Sequence, residues 1–240
     1  MKTNIHFSYN IPGSKYAPAD GTNCIIGSTF CEKYRIDYHY ANWLETLNQI
    51  RDKYENIYVQ QPFYLFNAEQ EIFLDCIKAL HEKKLIDGVL VNNYAMLKNI
   101  YERFNISLVL SRFAIGKRNQ VNKYFIELIL KQNAAAFEVY SYSPEVINEL
   151  MEYKDKIDIW IRESNHKINA FARECFIKSG NTGEACSRNH CITDEFSFIE
   201  KDNKYKLKIS GHILLEPHNV PAIPGDFGQT AVISHGGIEI

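Results

Sequence analysis

Gly88-Val89-Leu90-Val91-Asn92-Asn93 is the stretch on which the fold turns. Four residues without a polar side chain stop abruptly at two asparagines. A strand apolar on both faces must be covered on both, which is the situation of a parallel strand clothed by helices. The flanks agree with this. Residues 68–84 place Ile72, Phe73, Cys76, Ile77 and Leu80 at helical spacing, and residues 94–104 are helical again.

Working outward, the same alternation repeats on both sides. Towards the start, 57–59 reads as a strand ending at Gln60-Gln61-Pro62, and 42–54 as a helix with Trp43, Leu44, Leu47 and Ile50 on one side. Before these come short strands at 24–26 and 5–9. Towards the end, strand 106–110 stops at Ser111-Arg112, helix 119–132 follows, and strand 136–140 leads to a helix opened by Ser143-Pro144. Strand 157–161 then ends at Arg162-Glu163. Strands recur at intervals of roughly 25 to 30 residues with a helix between them, a pattern shared by a (β/α) barrel and an open doubly wound sheet. A length of 240 residues lies near that of a barrel. No Gly-x-Gly-x-x-Gly turn follows any strand, so a dinucleotide site has no support. The sequence predicts an α/β, (β/α) barrel-like fold as a single domain over residues 1–240. Residues 173–191 form a cysteine-rich loop, and 195–240 a C-terminal β-hairpin and an irregular tail.

Charge and composition exclude some functions. With 27 basic and 29 acidic residues the chain has no basic footprint for nucleic acid. No apolar run is long enough to span a membrane or serve as a leader, so the expected location is the cytoplasm. In that reducing compartment a disulfide framework is disfavoured. No Gly-x-Ser-x-Gly or His-Glu-x-x-His motif is present, and His39, His81, His166 and His212 lack partner spacing.

The six cysteines divide into two kinds. Cys76 falls on the apolar face of a helix and Cys24 opens an apolar run, so both read as small core hydrophobes. Cys175, Cys186 and Cys191 lie within seventeen residues of a glycine-rich polar segment, and Cys31 follows a Gly-Ser-Thr turn just past a strand. Thiols gathered on loops point to a metal. The spacing leaves structural zinc and an iron–sulfur cluster both open.

The segment Lys167-Ile168-Asn169-Ala170-Phe171-Ala172-Arg173-Glu174-Cys175-Phe176, followed by Cys186, Cys191 and the stretch Leu207-Lys208-Ile209-Ser210-Gly211, resembles the collagenase-like peptidase family U-thirty-two. Within that family it is most similar to the UbiV-type branch of anaerobic ubiquinone-hydroxylation iron–sulfur proteins. The branch also carries a Gly-Glu-Thr-x-Cys segment, matched here by Gly27-Ser28-Thr29-Phe30-Cys31. Ser28 stands where the branch has glutamate, and Glu174 separates Arg173 from Cys175. The resemblance implies a [4Fe–4S] cluster held by Cys31, Cys175, Cys186 and Cys191, and a heterodimer with a related family member. It further implies oxygen-independent hydroxylation of a quinone precursor or similar aromatic. The alternatives are a metal-stapled barrel that binds or scaffolds a partner, and a member of the wider peptidase family acting on RNA or peptide.

On the barrel reading, Gln60, Gln61, Asn92, Asn93, Ser111, Arg112, Arg162 and Glu163 follow strands and are candidates to line a pocket. Asn93, Arg162 and Arg173 are the substrate-binding candidates. The two guanidiniums are suited to a carboxylate or quinone oxygen.

Overall fold

The computed structural model describes residues 3–7, 22–29, 35–63, 65–115, 121, 123–140, 144–162, 166–171, 194–200, 203–210, 213–217 and 230–235. In chain order the elements are β1 (Thr3–Phe7), β2 (Thr22–Ile26), α1 (Tyr40–Ile50), β3 (Tyr54–Gln60), α2 (Asn67–Glu82), β4 (Gly88–Val91), α3 (Tyr94–Arg103) and β5 (Ser107–Leu110). They continue with α4 (Lys123–Leu130), β6 (Ala134–Tyr140), α5 (Pro144–Met151), β7 (Asp158–Arg162), β8 (His166–Phe171), β9 (Asp194–Glu200), β10 (Asn203–Ser210), β11 (Ile213–Pro217) and β12 (Thr230–His235).

Strands β2 to β7 pair in sequence order, all parallel, as one curled sheet. The pairing continues from β7 to β12, from β12 to β1 and from β1 back to β2, so the order closes on itself. Among the described residues the helices are fewer than a complete (β/α)8 barrel would carry. Among the described residues one α-helix follows each of β2 to β6, and none lies between β1 and β2 or after β7.

Two buried clusters explain why the strands are apolar on both faces. Ile25, Leu90, Val109, Ala136 and Trp160 pack together inside the curl, with Tyr58 against them. Their sequence neighbours, among them Ile26, Val89, Val91, Leu110, Phe137 and Ile161, pack outward with helix residues such as Trp43, Phe73, Leu97 and Ile126. The period of two that sorts a strand's side chains between faces thus assigns Leu90 inward and Val89 and Val91 outward.

Several expected details differ. Ile72 is 51% exposed and Leu74 is buried in its place, because the stripe that α2 buries is centred on Phe73, Ile77 and Leu80. The C-terminal hairpin exists as β9 and β10, but it belongs to a four-stranded antiparallel sheet ordered β8–β11–β10–β9. The end of the chain is not wholly irregular either. Thr230-Ala231-Val232-Ile233-Ser234-His235 forms β12 between β1 and β7. Its β-branched residues favour a strand, and the prolines and glycines around it mask that signal.

The amino-end side of the sheet is held by structural contacts. Arg51 donates to the carbonyls of Lys84 and Tyr54 and to Asp87 Oδ1, while Asp87 Oδ2 accepts from the Ile57 N–H. Among the described residues, no helix is long and apolar enough to cross a membrane.

Candidate functional site

Among the described residues, ten polar or charged residues are buried, and all but Arg35 and Thr46 lie at or just past the carboxyl ends of parallel strands. Ser28 and Thr29 follow β2, Gln60 ends β3 and Gln61 follows it, Asn92 follows β4, Ser111 follows β5, Glu138 is near the end of β6, and Arg162 ends β7. Burying polar groups costs stability unless they are paired, so their concentration at one end of the sheet needs a reason. The register supplies the geometry. Gln60, Asn92, Ser111, Glu138 and Arg162 each stand two residues beyond an inward core residue, namely Tyr58, Leu90, Val109, Ala136 and Trp160. Side chains two apart share a face, so a polar layer lies directly above the apolar one.

The layer has two halves. In the first, amides lock β3 to β4. Gln61 Oε1 accepts from the Asn92 N–H at 2.7 Å, Asn92 Nδ2 donates to the Gln61 carbonyl, and Gln60 Nε2 donates to Asn92 Oδ1 at 3.1 Å. Gly27 lies alongside with φ +90, where a Cβ would stand 3.3 Å from the Gln60 carbonyl oxygen. A side chain there would meet both backbone strain and a crowded carbonyl.

In the second half, charge gathers on one carboxylate. Glu138 Oε1 accepts from Arg112 Nη1 and from Arg162 Nε, each at 2.7 Å, and pairs with Arg162 Nη2 as well. Its Oε2 accepts from Ser111 Oγ at 2.9 Å and from the Arg112 N–H. Burial alone would push the Glu138 carboxyl up. The Arg112 and Arg162 guanidiniums, with the hydrogen bonds from Arg162 and Ser111, outweigh it and hold the group down at about 2. Glu138 is therefore a permanent carboxylate at neutral pH, an acceptor and not an acid. Arg112 is also held by aromatic rings, its guanidinium carbon lying 4.3 Å from the Phe113 ring and 4.6 Å from that of Tyr140.

The strand-end residues expected to line a pocket separate in this arrangement. Gln60, Gln61, Asn92, Ser111, Arg112 and Arg162 come together in the layer. Asn93 does not join it. It is exposed, and its side chain accepts from the Met96 N–H as the N-cap of α3. Replacing it with alanine is expected to cost about 1 kcal/mol in a urea titration, with Asn93→Asp restoring most of that. A larger loss, or one that aspartate does not repair, would argue against capping as its role. Glu163 and Arg173 lie outside the described residues, as do Cys31, Cys175, Cys186 and Cys191.

The sequence reading missed Glu138. A signal was present, since it is the one charged residue in the strand Ala134-Ala135-Ala136-Phe137-Glu138-Val139-Tyr140, and acidic side chains are almost never fully buried unless paired. Cys24 and Cys76 are both buried as expected. Burial, with Asp37 and Asp75 nearby, pushes the Cys76 thiol up to about 11, so it stays protonated and unreactive. Among the described residues, no group of three or more His, Cys, Asp or Glu side chains could hold a metal. A groove of about 520 Å³ between α2 and α3 is lined by Asp75, Lys78, His81 and Arg103 among others, and none of its lining residues belongs to the polar layer.

No family model, curated protein or solved structure matches the chain.

Proposed function

We propose that the carboxyl-end layer is the pocket of a small-molecule-binding (β/α) barrel, and that the eight-strand ring is the sheet of that barrel. One observation carries this reading: nearly all the buried polar side chains of the described residues collect at the one end of the sheet where barrel proteins bind ligands. A core needing only stability would fill those positions with apolar residues, since a buried charged triad is a poor source of stability. Ser111 and Asn92 offer small polar groups, and Glu138 fixes the two guanidiniums in place. A thermal-shift screen with a library of soluble metabolites tests it. Hits are expected that stabilise the wild type and lose their effect in Ser111→Ala and Asn92→Ala. Hits indifferent to both substitutions would move the site elsewhere.

A second reading adds an inorganic centre to the same end of the sheet. It takes the resemblance to the U-thirty-two family at face value: Cys31, Cys175, Cys186 and Cys191 hold a [4Fe–4S] cluster, and the chain is one subunit of an oxygen-independent hydroxylase acting on a quinone precursor or similar aromatic. Its support is the quoted sequence, together with the position of Thr29. That residue ends the described part of the β2 segment at the pocket side, its carbonyl accepts from the Phe63 N–H, and Cys31 follows it by two residues. Anaerobic purification is expected to give about four iron and four sulfide per chain, with colour lost in air. Cys175→Ala should abolish loading and Cys76→Ala should preserve it. Stoichiometric zinc without colour would instead favour a metal-stapled barrel that docks a partner.

A further inference from the structure

We propose that Gln60 Oε1 is the acceptor through which this pocket reads a hydroxyl or amino hydrogen of its ligand. The inference rests on the pocket reading and specifies the ligand chemistry. It starts from the orientation of three amides, which two backbone groups determine. The Gln61 carbonyl can only accept, so Asn92 must turn its Nδ2 towards it. The Asn92 N–H can only donate, so Gln61 must turn its Oε1 towards that. Asn92 Oδ1 is then left facing Gln60, which must present Nε2. Flipping any one amide would set like against like. The chain of constraints ends at Gln60 Oε1, which is buried and has no hydrogen-bond donor among the described residues.

Gln60 is 1% exposed, so this oxygen has been removed from bulk water without a compensating donor among the described residues. Native proteins rarely leave a buried acceptor in that state unless a water or a ligand completes it. The oxygen belongs to the same inward layer as Ser111, Glu138 and Arg162, not to an isolated corner of the core. Because Gln60 Nε2 is committed to Asn92 Oδ1, the residue presents its oxygen as the remaining polar group. It therefore selects for ligands that donate, namely alcohols, sugars, phenols and amines. A ketone or ether of the same shape makes no bond to it.

Paired solvents of nearly identical shape test this directly. Crystals of the full chain are soaked separately in 2-propanol and in acetone, which differ in the possession of a donor. The expected result is 2-propanol with its hydroxyl within hydrogen-bond distance of Gln60 Oε1, no acetone at that position, and loss of the 2-propanol in Gln60→Met crystals. An ordered water on Gln60 Oε1, held by two or more protein groups under both solvents, would overturn the proposal. Equal occupancy by both solvents would do the same. The wild-type crystals decide the matter even where the variant fails to fold. The pocket reading fails separately, in the metabolite screen, so a screen hit that depends on Ser111 alongside a water-filled Gln60 overturns this inference alone.

Discussion

Glu138→Ala is expected to lower stability by about 3–5 kcal/mol, the range seen when one partner of a buried ion pair is removed and the rest is left unpaired. Both Arg112 Nη1 and Arg162 Nε end on its Oε1, so the substitution takes from two buried guanidiniums a carboxylate they share. A urea titration at neutral pH measures the loss, and a change under about 1 kcal/mol would mean that the triad relaxes towards water on its own. Acid supplies an independent check. The folded-state value of the carboxyl, about 2, lies below its ordinary 4.5, so folding favours the ionised form. The stabilisation from this group is full above about 4.5 and is lost as pH falls from there towards 2. Glu138→Gln, with no charge to titrate, should show a shallower fall in stability over that window than the wild type. Equal slopes would exclude Glu138 as a source of acid sensitivity.

Gly88→Ala is expected to cost about 2–3 kcal/mol, as overpacking in a filled core does. Gly88 is in register with Tyr58 across the β3–β4 pair, and both lie on the inward face. A Cβ on Gly88 would overlap the Tyr58 ring and stand 2.9 Å from the Ser107 carbonyl oxygen. The ring has little freedom to retreat, because it packs edge-on to Trp160 with centroids 4.9 Å apart. The missing side chain on one strand thus makes room for a large one on its neighbour. In a Tyr58→Ala background the same substitution should cost under about 1 kcal/mol, since alanine is otherwise at least as good as glycine within a strand. Additive losses in the double-mutant cycle would show that the Ser107 carbonyl, not the ring, sets the limit.

How far the chain could be read before it was folded differs between its parts. Residues 54–162 announce their strands and helices because each element is bounded by polar residues and each strand is apolar on two faces. Gly88–Val91 and the helix after it were legible almost to the residue. Ile72 was misplaced because a contiguous apolar pair does not say which member faces the sheet. The polar layer was half legible. Gln60, Gln61, Asn92, Ser111 and Arg162 are conspicuous as the stops after apolar runs, whereas Glu138 lies inside a strand and acquires meaning from partners on two others. Asn93 shows the converse problem. Side by side in sequence, Asn92 and Asn93 look equivalent, yet one faces the interior and the other caps a helix. β12 was hidden because the prolines and glycines around it mask its β-branched run, and its partners β1 and β7 are distant in sequence.

That last strand has a kinetic consequence. Thr230–His235 inserts between β1 and β7, so the sheet stays open along those two edges until residues 230–235 have been made and delivered. During biosynthesis β1 and β7 must wait, with unpaired amides, for a segment that emerges from the ribosome more than two hundred residues after β1. Such long-range closure slows folding and leaves sticky intermediates, which makes this a chain expected to lean on chaperones while it is being synthesised.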